Sequence, residues 1–399
     1  MLNQTMQHLG EAPSVIRETF EYGNALAQKI GRENVYDFSL GNPSTPPPDC
    51  VRQTIAALND MPEQTGLHGY TSAPGDPAVR SAIALDLQKR FGAQTEAEDI
   101  YMTCGAAASL TISLHALCIP GDEVITIAPF FPEYRVFVEG TGAKLVAVKA
   151  KEPNFSIDFA ALAQSITPRT KAILLNTPNN PTGTVLSEDV LRHLGALLRE
   201  KSAQYGTHIY LISDEPYREL VWEAPSAPHA MTDYYDDVLI CYSFSKSLSL
   251  PGERIGYIAV GTKTFERIPL HAAIAGAARM LGFVCAPAML QRVVAAHPDC
   301  TADFTVYRKN RDRLCSGLRA MGFSFAPPQG AFYLFLRTPE PDANAFCHTA
   351  RKERLLFVPS DSFGVKGYAR IAYCVDTEML DRALPAFARL AAAYGLSAT

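Results

Sequence analysis

Hydrophobic residues recur along the middle of the chain in two alternating textures. Short runs dominated by Val, Ile, Leu and Tyr, at 100–102, 123–127, 144–148, 172–175, 208–212, 238–242 and 256–260, read as strands. Between several of them lie stretches with apolar residues at helical spacing. The clearest opens at Ser187-Glu188-Asp189, where Ser187 can cap, and continues through Leu191, Leu194, Leu197 and Leu198. Such alternation predicts an α/β fold, a mainly parallel sheet with helices on both faces.

The two ends of the chain differ from this middle. Residues 15–30 carry a helical pattern, and a turn-rich passage follows, Gly41-Asn42-Pro43 and then Pro46-Pro47-Pro48. Three consecutive prolines cannot continue a helix and hold a stiff extended link. From about residue 290 the pattern changes to a charged segment at 307–313, an apolar run at 331–336 and a short run ending in Arg370-Ile371-Ala372-Tyr373. The expected organisation is a large domain over 46–289 and a smaller α+β domain built from 1–45 and 290–399.

Composition narrows the function classes. With 399 residues, 47% of them hydrophobic and 19% charged, the chain can bury at least one large core. Its 36 Lys+Arg against 41 Asp+Glu give a formal charge of -5, which offers no broad basic field, so nucleic acid is not an expected partner. No apolar run reaches the roughly 18 residues a membrane span needs. The first thirty residues carry Glu11, Arg17, Glu18, Glu21 and Lys29, so no signal peptide is expected either. Nine cysteines, an odd number without a CxxC pair, read as buried thiols of a cytoplasmic protein without a structural metal.

Three polar clusters follow predicted strands. Ser243-Phe244-Ser245-Lys246-Ser247 places a lysine among small hydroxyl residues, with Arg254 eight residues on. Asp214-Glu215-Pro216-Tyr217 places a carboxylate where open α/β sheets bind ligands. Asn176-Thr177-Pro178-Asn179-Asn180-Pro181-Thr182-Gly183 makes a rigid turn. Taken singly, each has an ordinary reading: a solvated lysine, a helix-capping aspartate, a loop.

In this order and spacing they resemble the signature of fold-type I pyridoxal-phosphate enzymes, specifically the class I/II aminotransferases similar to aspartate aminotransferase. The resemblance runs from Gly41-Asn42-Pro43 to Arg370. It implies a seven-stranded, mainly parallel sheet sandwiched by helices, pyridoxal 5'-phosphate as cofactor, and a homodimer with shared active sites. Lys246 would bind the cofactor aldehyde and later carry protons, Asp214 would keep the pyridine nitrogen protonated, and Asn180 and Tyr217 would hydrogen-bond the phenolic oxygen.

The phosphate would be held by the amides of Gly105, Ala106 and Ala107 at a helix start, with Ser243, Ser245 and Arg254. Many relatives carry Ser or Thr where Ala107 stands. Phe131 resembles the aromatic that stacks on the ring, and neighbouring Phe130 competes for that role. Tyr70 matches the tyrosine that reaches the neighbouring subunit's phosphate. Arg370 would take the substrate α-carboxylate, with Asn176 and the Gly41 amide completing the clamp, although a plain turn also explains Gly41. Arg279, thirty-three residues after Lys246, stands near the position where one branch of the family keeps an arginine for a dicarboxylic substrate, while an ordinary arginine at a helix end or interface is the more common reading of such a residue.

The implied activity is ping-pong transfer of an amino group between an L-amino acid, with aspartate a candidate, and a 2-oxo acid. A cystathionine-type β-lyase, an aminocyclopropane-carboxylate synthase or a decarboxylase would present the same lysine, aspartate and arginines. A non-catalytic cofactor-binding regulator is the remaining class. Known regulators of this type carry a DNA-binding domain ahead of this fold, and the pattern here begins near residue 15.

Overall fold

The computed structural model describes residues 2–11, 14–222 and 230–397. All the strands read from the sequence form, and they make one sheet: β1 (Ile100–Thr103), β2 (Glu123–Ala128), β3 (Lys144–Lys149), β4 (Thr170–Asn176), β5 (Tyr210–Asp214), β6 (Val238–Ser243) and β7 (Gly256–Val260). Their spatial order is β1-β7-β6-β5-β4-β2-β3. Only β7 runs antiparallel, pairing with β1 and β6. Successive residues alternate between two cores: Ile173, Leu211 and Ile240 face one, and Leu174, Ile212 and Leu239 the other. Both faces are covered by helices, which is why these strands read as continuous apolar runs.

Helix Val15–Ile30 forms as its periodicity predicts. Helix Glu188–Tyr205 starts where Ser187 accepts a hydrogen bond from the Val190 amide and stops at left-handed Gly206. The proline-rich passage has no regular structure, and helix Asp49–Asn59 follows it.

A second core gathers Phe38, Tyr307, Leu314, Phe332, Leu334, Phe346, Phe357, Ile371 and Phe387. It lies against a four-stranded antiparallel sheet of β8 (Ser324–Phe325), β9 (Tyr333–Arg337), β10 (Val358–Pro359) and β11 (Tyr368–Ala372), in the order β10-β11-β9-β8. The N-terminal segment joins this layer: Tyr36–Asp37 pairs with Leu355–Leu356, and the Ala372 amide donates to the Phe38 carbonyl. Helix Ala288–Ala296, by contrast, puts Leu290, Val293 and Val294 into the core of the large sheet beside Val51, Ile83 and Leu87. The change of core therefore falls between this helix and helix Thr305–Ala320, later than the change of pattern near residue 290.

The cysteines differ from the sequence reading. Cys50 and Cys300, 250 residues apart, form a disulfide between helix Asp49–Asn59 and the segment after helix Ala288–Ala296. The other seven are free; Cys104 and Cys285 are half-buried and five are buried. Among the described residues no helix is long and apolar enough to cross a membrane.

Candidate active site

The polar clusters meet because the sheet registers their strand ends. Asn176 pairs with Asp214, and Asp214 with Cys241. Gly256 pairs with both Ser243 and Thr103. The ladder thus carries β4 and β5 past the end of their apolar runs to the polar residues Asn176 and Asp214.

After β6, the Ser243 hydroxyl accepts from the Ser245 amide at 3.2 Å and starts the single turn Phe244–Ser247 that bears Lys246. Lys246 Nζ donates to the Gly41 carbonyl at 2.6 Å. Burial pulls this amine down to about 8, with the charges of Arg254 and Arg370 acting in the same direction and Cys374 opposing.

Asp214 is buried at the end of β5. Its Oδ2 accepts from the Tyr134 hydroxyl at 2.5 Å, and its Oδ1 is buried with no hydrogen-bond partner among the described residues. Burial pushes the carboxyl up to about 7; the Tyr134 hydrogen bond lowers it and the Glu215 charge raises it. Glu215 turns away to bind the buried Arg218 at 2.6 Å.

On the other side of the cleft, Arg370 is 1% exposed, so its charge is held by the interior alone. It donates to the Ser39 carbonyl and to Asn180 Oδ1, the latter at 3.0 Å, and its Nε has no partner among the described residues. Tyr217 lies 2.9 Å, hydroxyl to hydroxyl, from Tyr333. Burial pushes the Tyr217 phenol well above its ordinary range.

Gly105 opens helix Ala106–Leu117 with a positive φ of 86° and no side-chain cap, leaving the first amides free for an anion. The Arg254 guanidinium stands over it: an added Cβ on Gly105 would lie 2.9 Å from Nη2. Arg254 Nη1 also reaches Ser245 Oγ at 3.4 Å, and Ser245 and Ser243 share a 2.7 Å hydrogen bond. Amides, two hydroxyls and a guanidinium converge there, a donor set suited to phosphate.

The choice between the two phenylalanines is structural. Phe130 is 3% exposed and packs in the core beneath Gly364. Phe131 is half-buried and meets the Tyr134 ring edge-on, with centroids 5.7 Å apart. A cavity of about 860 Å³ opens beside it, bordered by Val15, Ile16, Arg17, Phe20 and Leu40, so the N-terminal helix bounds the space in front of Phe131.

Three predicted residues lie elsewhere. The Asn176 amide donates to the Asp214 carbonyl at 2.8 Å and its oxygen accepts from the Asn180 amide at 2.6 Å, so it braces two strand ends and does not complete the Arg370 clamp. Asn180 and the Ser39 carbonyl stand at Arg370 in its place. Tyr70 is 99% exposed, and Arg279 is exposed at the end of helix Arg267–Leu281; neither reaches the cleft of its own chain. Conversely, the sequence reading passed over Tyr134, Tyr333 and Ser39. Tyr134 follows Phe131 at helical spacing and Tyr333 lies within the apolar run 331–336, so both look like ordinary core aromatics.

Residues 33–387 match the family described as aminotransferase class I and II. An aspartate/prephenate aminotransferase of Thermus thermophilus is 31% identical over 377 residues, covering 92% of this chain and 94% of that protein. A crystal structure of an amino transferase from Eubacterium rectale has a TM-score of 0.96 and 48% identity, covering 99% of both chains. The Thermus thermophilus aspartate aminotransferase with maleate has a TM-score of 0.86 and 26% identity over 98% of this chain and 99% of that one.

Proposed function

The chain belongs to the class I and II aminotransferases and is a transaminase dependent on pyridoxal 5'-phosphate; on that premise we propose that Lys246, Asp214, Tyr217, Arg254 and Arg370 divide its chemistry among them. The cofactor, when bound, supplies an aldehyde and a ring able to take up the electron pair released at the substrate Cα. The residues fit such a group. Gly105, Ser243, Ser245 and Arg254 offer donors for its phosphate, and Phe131 offers an aromatic face.

Asp214 carries this reading. A folded chain rarely leaves a buried carboxylate oxygen unpaired, and Asp214 Oδ1 is one. A cationic N–H would complete it and restore the charge that burial disfavours. Lys246, its affinity for protons lowered to about 8, releases its proton far more readily than an ordinary lysine and serves as the base that takes a proton from the substrate Cα and would deliver it to the cofactor carbon that carried the aldehyde. Among the described residues no carboxylate pairs with Arg370; its Nε has no partner there, and each Nη, with one hydrogen directed to Asn180 or Ser39, keeps a second for the substrate α-carboxylate.

Tyr70, standing free of its own chain, would reach the site of a twofold-related partner, so the working unit is a homodimer. The substrates are an L-amino acid and a 2-oxo acid exchanged in ping-pong fashion. Aspartate is the first donor to test, since relatives named for it span nearly the whole chain.

The test is borohydride reduction of the loaded enzyme, run beside a donor screen against 2-oxo acids with ammonia release monitored. Wild type should fix the cofactor covalently at Lys246 and transaminate without ammonia. Lys246→Ala should still bind the cofactor, fail to fix it and lose nearly all turnover. Normal activity in that variant refutes the assignment, and stoichiometric ammonia would favour a lyase.

A further inference from the structure

Strand β9 begins with Tyr333, a side chain that the roles above leave unassigned. It is 2% exposed, and its hydroxyl lies 2.9 Å from that of Tyr217, with the two rings edge-on at 85°. Its face lies against Arg370, the guanidinium carbon 4.7 Å from the ring centroid. The same hydroxyl fills the space that any side chain on Gly41 would need, which explains glycine there. The carbonyl of Gly41 in turn receives Lys246 Nζ.

We propose that Tyr333 is a positioning residue joining the two ends of the site: its hydroxyl orients the Tyr217 hydroxyl toward the cofactor's phenolic oxygen, and its ring seats the Arg370 guanidinium for the substrate carboxylate. This rests on the roles given to Tyr217 and Arg370 above.

Tyr217 has one proton to donate. When Tyr333 donates to the Tyr217 oxygen, that proton is left for the cofactor, and the first hydrogen bond polarises the second. Both phenols keep their protons for this, since burial pushes Tyr333 up to about 12 and Tyr217 well above its ordinary range. The charged and titratable groups facing the pair are Arg370, Asp214, Cys374 and Tyr134.

The ring serves Arg370 differently. A buried guanidinium needs compensation, yet a carboxylate partner would occupy the donors the substrate requires. The aromatic faces of Tyr333 and, at 5.3 Å, Phe363 attract the cation without taking up the N–H donors that Asn180 and Ser39 leave unused.

The test uses the loaded enzyme with two readouts: the pH midpoint of the bound cofactor's absorbance, and calorimetric affinity for maleate as an unreactive carboxylate. Tyr333→Phe keeps the ring and volume; it should raise the midpoint by about 0.5 pH unit or more, the equivalent of one lost hydrogen bond, while maleate affinity stays within about twofold. Tyr333→Leu should show the same midpoint shift and bind maleate about tenfold more weakly. Tyr217→Phe combined with Tyr333→Phe should titrate like Tyr217→Phe alone. A Tyr333→Phe midpoint within about 0.1 unit of wild type overturns the proposal. So does equal weakening of maleate in the Phe and Leu variants. A wild-type enzyme in which borohydride fails to fix the cofactor at Lys246 would overturn the Lys246 reading itself, an outcome that Tyr333 variants alone cannot produce.

Discussion

Asp214→Asn should strengthen the fold and weaken the enzyme, and both effects follow from one buried charge. In the absence of cofactor the carboxyl is pushed from 3.8 up to about 7, burial being the largest cause, the Tyr134 hydrogen bond opposing it and the Glu215 charge adding to it. An unfolded chain releases this proton near pH 4, so between that value and about 7 the folded chain binds more protons than the unfolded one. Stability therefore falls as pH rises through that window and is level above it. With 1.36 kcal/mol per pKa unit, the span from 3.8 to about 7 corresponds to about 4 kcal/mol. Asparagine preserves the shape and can still accept from Tyr134, but carries no charge to desolvate. The cofactor-free variant should be more stable than cofactor-free wild type by up to about 4 kcal/mol at pH 8, and within about 0.6 kcal/mol of it at pH 4.

Turnover should move the other way. Two opposite charges in hydrogen-bond contact attract by about 5–6 kcal/mol at an effective dielectric near 20, and losing part of that at a reacting centre raises the barrier by several kcal/mol. The assay is thermal or urea unfolding of the cofactor-free proteins at the two pH values, paired with single-turnover rates of the loaded ones. A variant equally shifted at both pH values, or destabilised at pH 8, would falsify the account of a strained buried charge. Turnover within tenfold of wild type would contradict the cofactor role.

Two further outcomes test the assembly and the substrate end. Mixing Tyr70→Ala with Lys246→Ala should restore about a quarter of the sites if subunits exchange at random, because each heterodimer then holds one site with both residues intact; no recovery in exchanged dimers contradicts shared sites. If Arg279 selects a dicarboxylic substrate across the dimer, Arg279→Ala should raise the barrier for aspartate by about 2–5 kcal/mol in kcat/KM and barely affect alanine or an aromatic donor, whereas equal losses for all donors would make Arg279 a structural residue.

The sheet was legible because a strand buried on both faces must be apolar throughout, so each one announces itself locally. Its ends were less so: the apolar run of β5 stops at Ile212, while the ladder continues to Asp214 through its pairing with Asn176 and Cys241. The candidate lysine, aspartate and arginines could be picked out because their order along the chain is itself a pattern. Asn176 shows the limit of such matching. Two asparagines four residues apart have the same chemistry, and only the loop's path assigns one to the backbone and the other to Arg370.

Local sequence determined which segments become strands and helices, which turns bend and which polar residues stand at strand ends, since these depend on side-chain periodicity and backbone preference over a few residues. Tertiary structure alone decided what each polar group faces. Tyr134 and Asp214 are 80 positions apart, Tyr217 and Tyr333 116, and Cys50 and Cys300 250. Contacts at such separations, and the burial that moves Asp214 up and Lys246 down in proton affinity, are properties of the packed interior, where water is excluded and a neighbour's charge or hydroxyl acts undiluted.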